Sequence, residues 1–191
     1  MTTFDGAVQA WILAHQYPLA HGFFLWVTIA GGITSMKVLA AAGAAWLWVR
    51  GRRVGAALVL LAPVLAIPLF NILKQVYARP RPLGLGGAAE TDYSFPSGHA
   101  TASAAVCCTL AYIFWREGLV GGRWALAFAV LIPLIVGTSR LYLNVHWTID
   151  VLGGWSAGLC VAGLSAVLHD RYRRRRDGDR ASPHSSAVPT S

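Results

Sequence analysis

Apolar runs separated by short polar breaks dominate this chain. The first run begins near Val8 and continues to about Ala30, interrupted by His15, Gln16, Pro18 and His21. Gly31-Gly32 with Thr34 and Ser35 ends it. A second, shorter run extends from Met36 to Val49 and stops at Arg50-Gly51-Arg52-Arg53. A third covers Val54 to about Val76. It contains Pro63 and Pro68, which a membrane helix tolerates when its neighbours satisfy the freed carbonyls. A polar, Pro- and Gly-rich loop occupies Tyr77 to Phe95. The fourth run covers Pro96 to Trp115; after the linker Arg116 to Arg123, the fifth runs from Trp124 to about Thr138. The sixth extends from about Val145 to Leu168. The pattern predicts an all-α, polytopic membrane bundle of about six transmembrane helices. From His169 onward the chain is Arg-rich, then Ser- and Pro-rich, a composition that cannot build a core and is expected to be disordered. The expected division is a membrane domain over residues 1–169 and a basic cytoplasmic tail over 170–191.

Composition supports the membrane reading and removes others. Of the 191 residues, 55% are hydrophobic and only 13% charged, against about 25% charged in an ordinary soluble domain. The net charge of +8 would suit nucleic acid, but the arginines cluster in short segments between apolar runs. Cys107, Cys108 and Cys160 all lie inside apolar runs and read as small core residues, with no metal-binding spacing. No Lys or Arg precedes the first apolar run and Asp5 is acidic, so the start does not read as a cleaved signal peptide.

Positive charge orients the spans. With six crossings, the Arg50–Arg53 loop, the Arg116–Arg123 linker and the Arg171–Arg176 run share one face. That face is expected to be cytoplasmic, with both termini on it. The opposite, outer face then carries Lys37, Lys74, Arg79, Arg81 and Arg140, against the usual bias, together with His99, His146 and Asp150. Lys37 reads as a snorkelling anchor. Arg79 reads as a loop anchor or a support for the other groups, and Glu90 and Asp92 as a solvated loop face. Trp46, Trp48, Trp115 and Trp124 read as interfacial belts. Trp147 is open to either a belt role or a substrate contact. The Arg171–Arg176 run suits a topology anchor that also touches anionic lipid.

Three outer-face segments carry chemistry. In Tyr93-Ser94-Phe95-Pro96-Ser97-Gly98-His99, Pro96 suits the first turn of a helix. Ser97 and Gly98 offer backbone N–H groups to an anion at the positive end of the helix dipole. His99 exchanges a proton near neutral pH. His146 and Asp150 are four apart, on one face of a helix. A carboxylate there can hold one imidazole nitrogen and leave the other free to attack; the bland alternative is a helix-stabilising pair. Lys74, Arg81 and Arg140 add three cations, and arginine's planar fork suits phosphate. A zinc site from His99, His146 and Asp150 is the rival reading, opposed by the three cations beside it.

Lys74-x6-Arg81-Pro82, Pro96-Ser97-Gly98-His99 and Ser139-Arg140-x5-His146-x3-Asp150 resemble, in this order, the three signature motifs of the type 2 phosphatidic acid phosphatase (PAP2) superfamily. The resemblance implies His146 as a nucleophile that forms a phosphohistidine, Asp150 as its partner and His99 as the acid for the leaving oxygen. It places phosphate on Lys74, Arg81, Ser97, Gly98 and Arg140, with no metal and no cofactor. The implied partners are the bilayer and a membrane lipid phosphate, with no nucleic acid. The expected function is a membrane lipid phosphatase. Polyprenyl diphosphate is the favoured substrate by analogy with compact bacterial members, with phosphatidate and phosphatidylglycerol phosphate close. A lipid phosphotransferase and a transporter with an outer anion site are the alternatives. Soluble haloperoxidases of the superfamily do not fit a membrane-embedded chain.

Overall fold

The structure is a computed structural model that describes residues 3–82 and 92–181. Among the described residues the chain forms seven α-helices and no strand: α1 Thr3–Ala14, α2 Pro18–Ala30, α3 Ile33–Val49, α4 Arg53–Tyr77, α5 Gly98–Arg116, α6 Gly122–Tyr142 and α7 Thr148–Ala181.

Five helices run between two polar ends. At one end lie Lys74 near the close of α4, the start of α5, Arg140 near the close of α6 and the start of α7. At the other, Arg52 pairs with Glu117 at 3.0 Å, His169 bonds Glu117 at 2.9 Å, and Arg116 bonds Asp170 at 2.9 Å. Chain direction therefore alternates from α3 to α7. α4, α6 and α7 are each long and apolar enough to cross a membrane; α2 and α3, bent by 51° at Gly31-Gly32, make a fourth crossing if taken as one broken span.

α5 packs against α3, α4, α6 and α7 and forms the centre. Its buried residues are mostly small, and Thr101 and Ser103 return their hydroxyls to the Ser97 and Ala100 carbonyls. Covered by its neighbours, α5 need not be as apolar as a lipid-facing helix. The small residues Gly154 and Gly158 on α7, four apart, let it lie close to α5. A Cβ at Gly154 would stand 2.7 Å from the Ser97 carbonyl oxygen, and one at Gly158 2.5 Å from that of Thr101. Within a bilayer such close packing, rather than water exclusion, holds helices together.

Three expectations are corrected here. The first run is not one span. His15, Gln16 and Tyr17 break it, with Pro18 at the first position of α2, where a missing N–H costs nothing. Asp5 near the start of α1 bonds Ile149 N, and Gln16 just beyond its end bonds the Tyr142 carbonyl. Both ends of α1 thus lie at the Lys74–His146 end, and the helix runs along that end instead of crossing. The start of α1 and the close of α7 consequently lie at opposite ends of the bundle, not on one shared face. Finally, α7 continues through the Arg171–Arg176 run to Ala181; the remainder of the expected disordered tail, and Glu90, lie outside the described residues.

The Trp side chains expected at the interface gather at the far end. Arg50 stacks over Trp46, Arg53 over Trp48, Arg116 over Trp115 and Arg123 over Trp124, with guanidinium carbons 4.8 to 5.8 Å from the rings. Lys37 is exposed on the first turns of α3.

Candidate active site

Two left-handed residues turn the chain at the site. Ala78 closes α4 with φ 43°, its N–H on the Lys74 carbonyl, and sends Arg79-Pro80-Arg81 across the bundle end. Asn144 closes α6 with φ 56°; the N–H groups of Asn144 and Val145 bond the Leu141 and Arg140 carbonyls at 3.0 and 3.2 Å. This paired arrangement is a Schellman closure, and Asn is among the few residues that adopt it without glycine. It leaves His146 in the turn ahead of α7 rather than on the helix, as the four-residue spacing had suggested. Asp150 is in the first turn of α7, where one oxygen accepts the Trp147 N–H at 2.8 Å.

His146 is 2% exposed. Its Nδ1 stands 3.5 Å from Asp150 Oδ2, and its Nε2 lies 3.2 Å from Arg81 Nη1. A guanidinium N–H can only donate, so Nε2 carries the lone pair and the ring proton sits on Nδ1, facing the carboxylate. The Nδ1 distance is long for a hydrogen bond, as such pairs often are before substrate tightens them. Burial pushes the His146 pKa down to about 4; Asp150 pulls it up, and Arg81 and Arg140 push it further down. The imidazole is therefore neutral across the neutral range, its Nε2 lone pair turned to Arg81 Nη1.

The three cations converge on the same end. Lys74 and Arg140 are each 4% exposed. Arg81 also donates to the Val145 carbonyl at 2.8 Å, and Arg140 donates to Thr28 Oγ1 on α2 at 2.5 Å. Asp92 is exposed, as expected of a solvated loop face, and also bridges Lys74 and Arg81 with its two carboxylate oxygens. Burial raises the Asp92 carboxyl, but its bonds to the two cations outweigh this and hold it below the ordinary carboxylate range.

Ser97 caps α5, its hydroxyl accepting from Ala100 N at 3.5 Å. The helix starts at Gly98, so Pro96 lies before it rather than in its first turn. A Cβ on Gly98 would sit 3.2 Å from the Phe70 ring, tighter than ordinary van der Waals contact. His99 is half-buried in the first turn, and the α2–α3 bend packs beside it at Gly32. Trp147 donates its indole N–H to the Pro80 carbonyl at 3.0 Å and so holds the arginine-bearing loop. A cavity of about 550 Å³ opens beside the cluster, lined by Gln9, Leu13, Arg81, Asn144 and Trp147 among others. Both Asp150 oxygens are engaged by Arg79 and Trp147. No group of three His, Cys, Asp or Glu side chains among the described residues is arranged to hold a metal ion.

Reading the sequence segment by segment missed two carboxylates at this site, Asp5 and Asp92. Asp92 follows a Gly-rich stretch that gives no periodic signal. Asp5 sits in the first turn of an amphipathic start, where an acidic residue is unremarkable.

Comparison with known proteins bears on this geometry. The chain is 33% identical over 125 residues to an undecaprenyl-diphosphatase of Sulfolobus acidocaldarius, covering 62% of this chain and 57% of that protein. It is 33% identical over 111 residues to phosphatidylglycerophosphatase B of Bacillus subtilis, covering 56% of this chain and 55% of the relative. The matched part thus spans little more than half the length of these curated relatives. A crystal structure of a transmembrane PAP2-type phosphatidylglycerolphosphate phosphatase from Bacillus subtilis superposes with a TM-score of 0.74 at 26% identity, covering 88% of this chain and 86% of that one. The family model of the PAP2 superfamily matches residues 54–174, from α4 through most of α7. With the three motif segments all inside that match and the fold shared along most of the chain, this protein belongs to the PAP2 superfamily.

Proposed function

We propose that the protein is a membrane lipid phosphatase that hydrolyses a phosphate monoester or diphosphate on a lipid through a phosphohistidine. The observation that carries this reading is the His146 tautomer: the lone pair of Nε2 faces Arg81 while Nδ1–H faces Asp150. In the first step Nε2 attacks phosphorus, the N–P bond forms and the P–O bond to the lipid breaks. His99 gives its proton to the leaving oxygen. In the second step water attacks phosphorus, the N–P bond breaks, and the water proton returns to His99. Lys74, Arg81 and Arg140 offset the charge on the equatorial oxygens, with the Ser97 and Gly98 helix start adding donors.

The favoured substrate is a polyprenyl diphosphate, with phosphatidate and phosphatidylglycerol phosphate close. Relatives named undecaprenyl-diphosphatase and phosphatidylglycerophosphatase B support both classes. The contacts proposed here grip phosphate and not the lipid, which favours tolerance. By the positive-inside bias, the end bearing Arg50–Arg53, Arg116–Arg123 and the close of α7 is cytoplasmic. The catalytic end, with α1 lying along it, then faces outward, where a lipid keeps its tails in the bilayer as its head group enters.

The test is phosphate release from the three lipids in the same mixed micelles. Wild type is expected to turn over at least one of them, and His146→Ala to lose at least a thousandfold. Substantial turnover by His146→Ala overturns the covalent scheme. Polyprenyl diphosphate turned over at least tenfold worse than either glycerolipid, about 1.4 kcal/mol of transition-state preference, removes the carrier-lipid assignment. Transfer of the phosphoryl group to a second lipid without phosphate release would make the protein a phosphotransferase.

A further inference from the structure

We infer that Asp5 and Arg79 are positioning residues for the nucleophile, and that α1, outside the matched family segment, completes the catalytic unit; this rests on the phosphatase reading above. Arg79 lies between two buried carboxylates. Its Nη1 donates to Asp150 Oδ1 at 2.7 Å and its Nη2 to Asp5 Oδ2 at 2.7 Å. The Asp5 and Asp150 side chains are fully buried, and that of Arg79 is 19% exposed. The other Asp5 oxygen accepts the Ile149 N–H at 3.1 Å, and the other Asp150 oxygen accepts the Trp147 N–H at 2.8 Å. The first turn of α7 is thereby capped twice, once by its own Asp150 and once by a residue 144 positions away in sequence.

The charges of this arrangement suit the covalent step. When His146 Nε2 bonds to phosphorus, the ring becomes cationic, and Asp150 on Nδ1–H stabilises it. Arg79 alone against Asp150 would cancel that carboxylate and leave the ring without a counter-charge. Asp5 opposes that cancellation: its carboxylate shares the guanidinium with Asp150, so Asp150 is not neutralised by Arg79 alone. The fork geometry matters as much as the charge. Separate nitrogens of one planar guanidinium hold the two carboxylates, a fixed fork that a lysine ammonium cannot reproduce. Asp5 also places an acid near the Arg79 and Trp147 stack, where the guanidinium lies 5.7 Å from the indole. An interaction of this kind changes the barrier rather than phosphate affinity, because Lys74, Arg81 and Arg140 carry the phosphate.

The experiment compares wild type, Asp5→Asn, Arg79→Gln, the double variant and Arg79→Lys in detergent. kcat and KM are measured for whichever lipid phosphate wild type turns over, and folding is checked by melting temperature. Asp5→Asn is expected to lower kcat at least tenfold with KM changed less than threefold. The double variant should fall no more than threefold below Arg79→Gln, since both remove one unit. Arg79→Lys, which keeps the charge and loses the fork, should lower kcat at least fivefold at an unchanged melting temperature; it decides the matter if Asp5→Asn does not fold. kcat within twofold of wild type in folded Asp5→Asn or in Arg79→Lys overturns the inference, as do multiplicative losses in the double variant. Equal losses in kcat and gains in KM would also overturn it by assigning the pair to binding. Failure here leaves the His146→Ala result untouched, so the two readings fail separately.

Discussion

Ser97 donates its backbone N–H to the Asp150 carbonyl at 2.9 Å, joining the cap of α5 to the first turn of α7. That bond sets the helix start proposed to face phosphate against the carboxylate proposed to back the nucleophile. It requires the two backbones to lie close, and the glycines of α7 supply the room. Gly158 makes the tightest of these contacts to backbone: a Cβ there would stand 2.5 Å from the Thr101 carbonyl oxygen, which cannot rotate away. Gly158→Val is therefore expected to spread α5 from α7, lower the melting temperature in detergent and cut activity at least tenfold. The overpacking cost is about 1–3 kcal/mol. Gly163→Val, with nothing within 4 Å of the added carbon, should leave both unchanged; equal effects from the two variants would remove the packing argument.

Asp92 occupies the two cations proposed for phosphate. Its carboxyl is held below its ordinary range by Lys74 and Arg81, so it remains ionised at working pH and competes with a phosphoryl group. Asp92→Asn is expected to tighten inhibition by vanadate three- to tenfold. An unchanged or weaker vanadate inhibition constant would show that the carboxylate helps build the pocket instead of competing for it.

The low pKa of His146, about 4, makes a prediction for pH. Because the folded pKa lies below the ordinary value near 6.5, the neutral form of this proposed nucleophile persists as pH falls through 6.5. Protonation of His146 should cut kcat/KM only toward pH 4. The stability linkage has the same sign. The unfolded chain takes up the proton first, so stability is intact above about pH 6.5 and declines between there and about 4. The decline amounts to roughly 3 kcal/mol. His146→Gln should flatten that part of the melting-temperature profile. A profile of the same slope in the variant would assign the acid sensitivity to other groups.

Arg140 acts on His146 at the proposed catalytic end and bonds Thr28 of α2. Arg140→Ala should reduce kcat/KM by a hundredfold or more, the scale of losing one preorganised charge at a transition state, about 3 kcal/mol. Thr28→Ala, which removes only the tether, should cost less than tenfold. A larger loss in Thr28→Ala than in Arg140→Ala would mean that the α2 contact, and not phosphate, is what Arg140 serves.

No step of the proposed chemistry runs through a metal ion. Phosphate release should be unchanged after dialysis against EDTA. Loss of activity with recovery on added zinc would favour the site of His99, His146 and Asp150 considered from the sequence.

The local pattern of this chain determined a great deal. Apolar runs located α3 through α6 and the start of α7 within a few residues, because a helix with an apolar face announces itself by sustained hydropathy. The spacing of Lys74, Arg81, His99, Arg140, His146 and Asp150 marked the candidate site, because each group belongs to a short segment whose neighbours are part of the signal. Only the tertiary structure decided the rest. α1 and α2 are apolar enough to read as one span, yet Pro18 breaks them, and α1 lies along the catalytic end because Asp5 finds Arg79 and the free N–H of Ile149 there. Its partners lie 74 and 144 positions away. Asp92 likewise takes Lys74 and Arg81 from a loop without periodicity. Hydropathy reports how a segment meets its solvent; it carries no information on which distant charge a buried carboxylate must meet, and that pairing is fixed only when the helices have packed.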